Sequence, residues 1–182
     1  MLFSPKEIVL KNGQQAVLRS PSAEDAGEML AYLEQSAAET NFILKYPEEC
    51  QMPVEKEAAL LESVNTSPDS VMILCSVDGH IAGNCSLSFR TRRMKTRHRA
   101  GVGIAILQKY WGLGIGTAMF KEMISLAKER GVLQLELEYI EGNERGRALY
   151  EKMGFTVYGE HPDAIQLKDG TLLKEILMMK KL

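Results

Sequence analysis

The spacing of apolar positions changes along the chain, and each spacing predicts an element. Glu7 to Leu10 and Gln14 to Arg19 read as short strands around Asn12-Gly13, a dipeptide that favours a tight hairpin. Ser20 to Asp25 opens a helix, with Ser22 as cap, Asp25 in the capping-box place, and Met29, Leu30 and Leu33 as its apolar stripe. Glu39 to Gln51 is irregular yet carries Phe42, Ile43, Leu44 and Tyr46, so it packs either on the core or as a wall of a substrate cleft. Pro53 starts a second helix through Val64, with Ala58, Leu60, Leu61 and Val64 inward. Strands Val71 to Val77 and Ile81 to Phe89 meet at Asp78-Gly79, another hairpin turn.

Arg90 to Arg99 then holds six Lys/Arg in ten residues. It reads either as a solvated hairpin tip or as a patch that attracts phosphates or an acidic acceptor. His98 within it is a candidate for proton transfer. Gly101 to Leu107 is a strand whose alternation puts Val102, Ile104 and Ile106 on one face and Gly101, Gly103 and Ala105 on the other. A face this small leaves room for a ligand or for a closely packed helix.

The next stretch, Tyr110-Trp111-Gly112-Leu113-Gly114-Ile115-Gly116-Thr117, turns from that strand into a helix ending at Arg130-Gly131. Three glycines in five positions remove the Cβ atoms that would hold a ligand away from the backbone. The helix start presents unpaired N–H groups and the positive end of its dipole, which suits phosphate or pyrophosphate. No lysine follows Gly116, so this is not a Walker A loop, and the G-x-G-x-x-G dinucleotide spacing fails at Thr117 or Met119. Val132 to Ile140 follows as a strand, and strand, helix, strand in this order implies a parallel pair. Leu133, Leu135, Leu137 and Tyr139 fall on one face of it, with Gln134, Glu136 and Glu138 on the other.

Asn143 caps a further helix that Gly154 terminates, and at 3.6 residues per turn Asn143 and Tyr150 share a face. Gly146 inside that helix permits a close approach by a neighbour or ligand. Phe155 to Tyr158 is a strand, His161 to Ala164 a loop, and Thr171 to Met179 a final strand after the Asp169-Gly170 turn.

Composition narrows the function classes. A chain of 182 residues, 45% hydrophobic and 25% charged, is read as one domain, residues 1–182, of an ordinary water-soluble kind. A net charge of −2 argues against nucleic acid as partner. Three cysteines without paired spacing suggest free thiols and a cytoplasmic setting, three unpaired histidines argue against a metal, and no segment is long enough to span a membrane.

The Gly-rich loop resembles the acyl-CoA pyrophosphate loop of the GNAT superfamily of N-acetyltransferases, Q/R-x-x-G-x-G/A, with Trp111 in the place of the Gln or Arg. Asn143 and Ala148-Leu149-Tyr150-Glu151-Lys152-Met153-Gly154-Phe155 are similar to the family's N-x-x-A/G-x-x-L/F-Y-x-K/R-x-G-F segment. The resemblance is specific over roughly Val102 to Phe155. It implies an α/β fold with a mixed, mostly antiparallel sheet of about seven strands, a central splayed parallel pair, and helices on both faces. Acetyl-CoA would enter the splay as cosubstrate, with Ile104, Ala105 and Ile106 along the pantetheine. Trp111, Gly112, Leu113, Gly114, Ile115, Gly116 and Thr117 would hold the pyrophosphate, and Asn143 would touch the cofactor arm. Tyr150 takes the place of the family's general acid. Glu138 is spaced like the glutamate base of ribosomal-protein-type N-terminal acetyltransferases, with a water relay as the alternative, and Gly101 stands where many relatives carry another Glu. The implied function is acetyl transfer to a primary amine, of a small molecule or a protein N-terminus, by direct attack in a ternary complex. The alternative is a non-catalytic acyl-CoA-binding sensor. A homodimer is open, since small members often pair.

Overall fold

A computed structural model describes the whole chain, Met1 to Leu182. The strands are β1 (Lys6–Val9), β2 (Gln15–Arg19), β3 (Ser70–Val77), β4 (His80–Phe89), β5 (Arg99–Ile106), β6 (Gln134–Ile140), β7 (Thr156–Gln166) and β8 (Leu172–Lys181). The helices are α1 (Ala26–Ala38), α2 (Val54–Thr66), α3 (Ile115–Glu129) and α4 (Glu144–Lys152). All eight strands form one sheet in the order β1-β2-β3-β4-β5-β6-β8-β7, one more strand than the approximate expectation of seven. Every neighbouring pair is antiparallel except β5 and β6.

Strand alternation divides the core between the two faces of the sheet. Val71, Ile73 and Cys75 of β3 point to one face, where Met119, Phe120 and Met123 of α3 and Tyr150 of α4 cover them. Leu74 points to the other, under Met29 and Tyr32 of α1 and Leu61 of α2. Phe120 is fully buried, with Tyr150 and Phe155 edge-on at 5.7 Å each. Burying one such ring is worth about 1.5–3 kcal/mol.

The parallel pair positions the site. β5 and β6 pair only through Arg99–Gln134, Ala100–Leu135 and Gly101–Glu136. Beyond Gly101, β5 stays with β4 out to Ile106 and β6 stays with β8 out to Ile140, so the two strands part. The gap lies at the end where β5 turns into α3.

Local chemistry accounts for the start of α1. The Asp25 carboxylate accepts the Ser22 N–H at 2.6 Å and is clamped by Arg19 at 2.7 and 2.6 Å, so a short 3₁₀ turn at Ala23–Asp25 leads into the helix. Three expectations are corrected. Leu60 of α2 is 45% exposed, because a position two residues from Ala58 lies about 200° round the helix, and Glu57 is turned inward. Leu133 is 62% exposed because it precedes β6, where its N–H donates to the His98 carbonyl at 2.8 Å. The expected loop His161–Ala164 lies inside β7 as a bulge, with register passing from His161–Glu175 to Ile165–Leu173. Pro162 offers no N–H to a ladder and is tolerated there on an edge strand. At Gly146 the close neighbour is the Asn143 side chain, whose Oδ1 would lie 2.8 Å from a Cβ built there.

Candidate active site

A cavity of about 420 Å³ fills the gap between β5 and β6 and runs out onto the Gly-rich loop. The loop is built for close approach. Gly112 and Gly114 have φ of +79° and +100°, the left-handed region in which a side chain is strained. The first helical bond of α3 runs from the Ala118 N–H to the Gly114 carbonyl at 3.0 Å. The N–H groups of Ile115, Gly116 and Thr117 therefore have no helical partner, and all three residues line the cavity. Gly116 also has a packing reason, since a Cβ there would lie 2.7 Å from Leu149 Cδ2 and force that side chain to shift.

Ile104, Ala105, Ile106, Trp111, Gly112, Gly114, Asn143, Tyr150 and Glu138 line the same cavity. Leu113 does not; its side chain packs on the core and its carbonyl accepts the Lys11 N–H at 3.0 Å. Trp111 has an identifiable structural task where the family's motif has Gln or Arg. Its indole N–H donates to the Ile106 carbonyl at 2.6 Å, pinning the loop to the end of β5. The Asn143 Oδ1 accepts the Gly146 N–H at 2.9 Å, capping α4. The small face of β5 is open, with nothing within 4 Å of a Cβ built on Gly101 and only Ser86 Oγ, at 3.7 Å, near one on Gly103.

Tyr150 stands on the wall of the gap, between Phe120 and Tyr139. Burial pushes its phenol up to about 12, helped by Cys85 and Tyr139, so it stays protonated at neutral pH. Glu136 and Glu138 share a strand face but not a fate. Glu136 is 4% exposed and bonded by Arg99, by Arg90 at 3.1 Å and by Gln134 at 2.7 Å. Burial alone would raise its carboxyl, but these hydrogen bonds and the two guanidinium charges carry it below its usual value. Glu138 is exposed and faces the cavity. Glu175 of β8 lies on the same sheet face, opposite His161, and its carboxyl is raised by burial and by the Glu138 charge, with His161 opposing.

The basic segment Arg90–Arg99 lies at the wrong end of β5 to serve the loop. Eight residues of strand, about 25 Å at ~3.3 Å per residue, separate Arg99 from the loop end. Arg90 and Arg99 are occupied by Glu136, and His98, at that end, lies outside the cavity lining. The loop Glu39–Gln51 does contribute a wall, through Thr40, Phe42 and Ile43. Glu39 anchors its start by accepting the Gln108 N–H at 2.6 Å. Farther on, the Lys168 N–H donates to the Tyr46 hydroxyl at 2.8 Å, and the Lys168 ammonium pairs with Glu48, tying the loop to the β7–β8 turn.

Three basic cavity residues were not expected from the sequence: Lys11, Arg145 and Lys152. Arg145, Leu149 and Lys152 recur at positions i, i+4 and i+7, a helical stripe that could have revealed two of them. Lys11 comes from the β1–β2 turn and has no local signal.

The comparisons agree with this geometry. A family model described as the acetyltransferase (GNAT) family matches residues 27–155. A ribosomal protein bS18-alanine N-acetyltransferase of Haemophilus influenzae is 48% identical over 52 residues, which is 29% of this chain and 35% of that protein. The chain spans between 35% and 55% of the length of the curated relatives it matches. The crystal structure of a GNAT-family acetyltransferase from Streptococcus pneumoniae superposes with a TM-score of 0.84 at 26% identity, over 92% of this chain and 99% of that one. A phosphinothricin acetyltransferase from Sinorhizobium meliloti, solved in complex with acetyl-CoA, shares the fold with a TM-score of 0.77 at 22% identity, over 92% and 88% of the two chains. With the splayed pair, the loop and the family model in agreement over most of its length, the chain belongs to the GNAT family of acetyltransferases.

Proposed function

We propose that this chain is an acetyl-CoA-dependent N-acetyltransferase that moves an acetyl group to a primary amine, of a small molecule or a protein amino terminus. The observation that carries the reading is the gap between β5 and β6. It opens past Gly101–Glu136, ends on the free amides of Ile115 to Thr117, and has Tyr150 and Glu138 on its walls. The residues fit the cosubstrate: left-handed glycines and unpaired N–H groups suit a pyrophosphate, and the parted strands offer backbone groups to an amide-bearing arm. Acetyl-CoA supplies a thioester carbonyl open to nucleophilic attack.

The chain's own residues handle the protons. An alkyl ammonium, with a pKa near ~10, must lose a proton before its nitrogen can attack. Glu138, directly or through a water, accepts that proton. The carbon–nitrogen bond forms as the carbon–sulfur bond breaks, the Tyr150 hydroxyl donates its proton to the departing thiolate, and the second proton shed by the nitrogen returns to the phenolate as the amide forms, while Glu138 releases its proton to solvent. The acceptor approaches over the open Gly101–Gly103 face, where the carboxylates of Glu138 and Glu175 favour a cationic amine. Attack is direct. The three cysteines are buried, and burial pushes Cys75 up to about 12 and raises Cys50 and Cys85 as well, which leaves no thiolate nucleophile.

Calorimetric titration with acetyl-CoA, CoA, NAD and ATP, followed by thiol-release assays over a panel of amines, tests the reading. Binding of acetyl-CoA and CoA with amine-dependent thiol release is expected. Binding without release for any amine would favour an acyl-CoA sensor, and selective binding of NAD or ATP would overturn the assignment.

A further inference from the structure

The phosphate loop is surrounded by more positive charge than its backbone supplies. Three cations stand along it in order. Arg145 Nη1 lies 4.0 Å from where a Cβ would sit on Gly112, and Lys11 Cγ lies 3.9 Å from that position on Gly114. Lys152 Nζ lies 3.4 Å from Thr117 Oγ1. None of the three forms a salt bridge, although carboxylates engage nine other basic side chains. The contrast runs within α4 itself. Arg147 is taken by Glu151 at 2.9 Å, whereas Arg145 and Lys152, on the face that carries Leu149 against Gly116, are left without a carboxylate.

These cations are held in place rather than scattered. The Lys11 N–H bonds to the Leu113 carbonyl at 3.0 Å, which fixes the β1–β2 turn against the loop. The Arg145 guanidinium lies 4.9 Å from the centre of the Trp111 ring, and that ring is itself fixed to Ile106. Like charges beside the positive end of a helix repel one another and the dipole until an anion joins them. A chain with a net charge of −2 does not lack carboxylates to neutralise them.

We propose that Lys11, Arg145 and Lys152 form a cage that reads the phosphates of the acyl donor, with the Trp111–Arg145 stack replacing the Gln or Arg of the family's loop motif. The cage selects a donor carrying a pyrophosphate and a ribose phosphate over the same acyl group on bare pantetheine. This rests on the acetyltransferase reading and adds to it the side chains that discriminate between donors. Arg145 offers a planar fork for two phosphate oxygens, and the two lysines act as point charges.

The test compares acetyl-CoA with acetyl-pantetheine by calorimetry, in wild type and in Lys11→Ala, Arg145→Ala, Lys152→Ala and the triple variant. Each single substitution is expected to weaken acetyl-CoA by ~3–10-fold, with Arg145→Ala the largest and Arg145→Lys recovering part of the loss. The triple variant loses ~30-fold or more and shows a flatter salt dependence, while its affinity for acetyl-pantetheine changes by less than about twofold. Thermal melts establish that the variants are folded. Acetyl-CoA binding that ignores all three substitutions overturns the cage and leaves the acetyltransferase reading standing. Equal losses for both donors also overturn it. A folded wild type without affinity for acetyl-CoA overturns both.

Discussion

Similar side chains gather at the two ends of β5 and meet opposite fates. At the Arg99 end the strand is paired with β6, and Arg90 and Arg99 converge on the buried Glu136. At the Ile106 end the strands have parted, Glu138 faces a cavity, and Lys11 and Arg145 stand by the loop without carboxylate partners. A compensated charge at a closed seam is structural. An uncompensated charge at an open one is free to meet a ligand, because it does not have to give up a protein partner first. Glu136 and Glu138, two residues apart on one strand, mark the boundary between the two regimes.

Five substitutions sharpen or break that comparison. The largest effect belongs to Tyr150→Phe, which is expected to lower kcat by ~10²-fold while leaving acetyl-CoA affinity little changed. Steady-state kinetics beside calorimetry check this, and unchanged turnover would remove Tyr150 from the chemistry. Glu138→Gln should cost ~10-fold or more in kcat/KM at neutral pH, with the deficit narrowing as alkaline pH deprotonates the amine in solution. A parallel pH profile in the variant would assign the base to water alone.

Glu136→Gln should spare catalysis and cost stability instead, about 1–3 kcal/mol at neutral pH after allowance for solvent around the half-exposed arginines. The sign of its pH dependence follows from the depressed folded-state carboxyl. The contribution is complete above the ordinary carboxylate range, near ~4.3, and is lost as pH falls through the lower folded value. Urea unfolding should therefore show wild type and variant converging under acid, and a gap that widens there would contradict the ion-pair account. The smallest effect is expected for Arg93→Ala and Lys95→Ala in the exposed tip, with acetyl-CoA affinity changed by less than about twofold because the loop lies well beyond a Debye length of ~8 Å.

What was legible in the sequence divides along similar lines. The loop glycines, the parallel pair and the Asn143–Tyr150 spacing are local patterns, and local patterns survive folding because backbone geometry dictates them. The difference between Glu136 and Glu138 is not local. Alternation places both on one face, and only the arrival of Arg90 and Arg99 from the neighbouring hairpin buries one of them. Lys11 is illegible for the same reason, since its partner Leu113 lies a hundred residues downstream. Leu60 was misplaced by a different cause: it is one of four α2 residues read as inward, and together they span more of the helix circumference than one buried face. The apolar loop Glu39–Gln51 left two readings open, and the one that makes it a cleft wall agrees with Thr40, Phe42 and Ile43 lining the cavity.

Trp111 is the chain's only tryptophan, and it sits where the phosphates of a donor would arrive. Its indole is wired to the Ile106 carbonyl and faces the Arg145 guanidinium, two neighbours whose distance and field set the energy of its excited state. The protein thus carries its own optical probe of the loop. A change in ultraviolet emission, with no label and no turnover, would report the moment the loop is filled and the rate at which it empties.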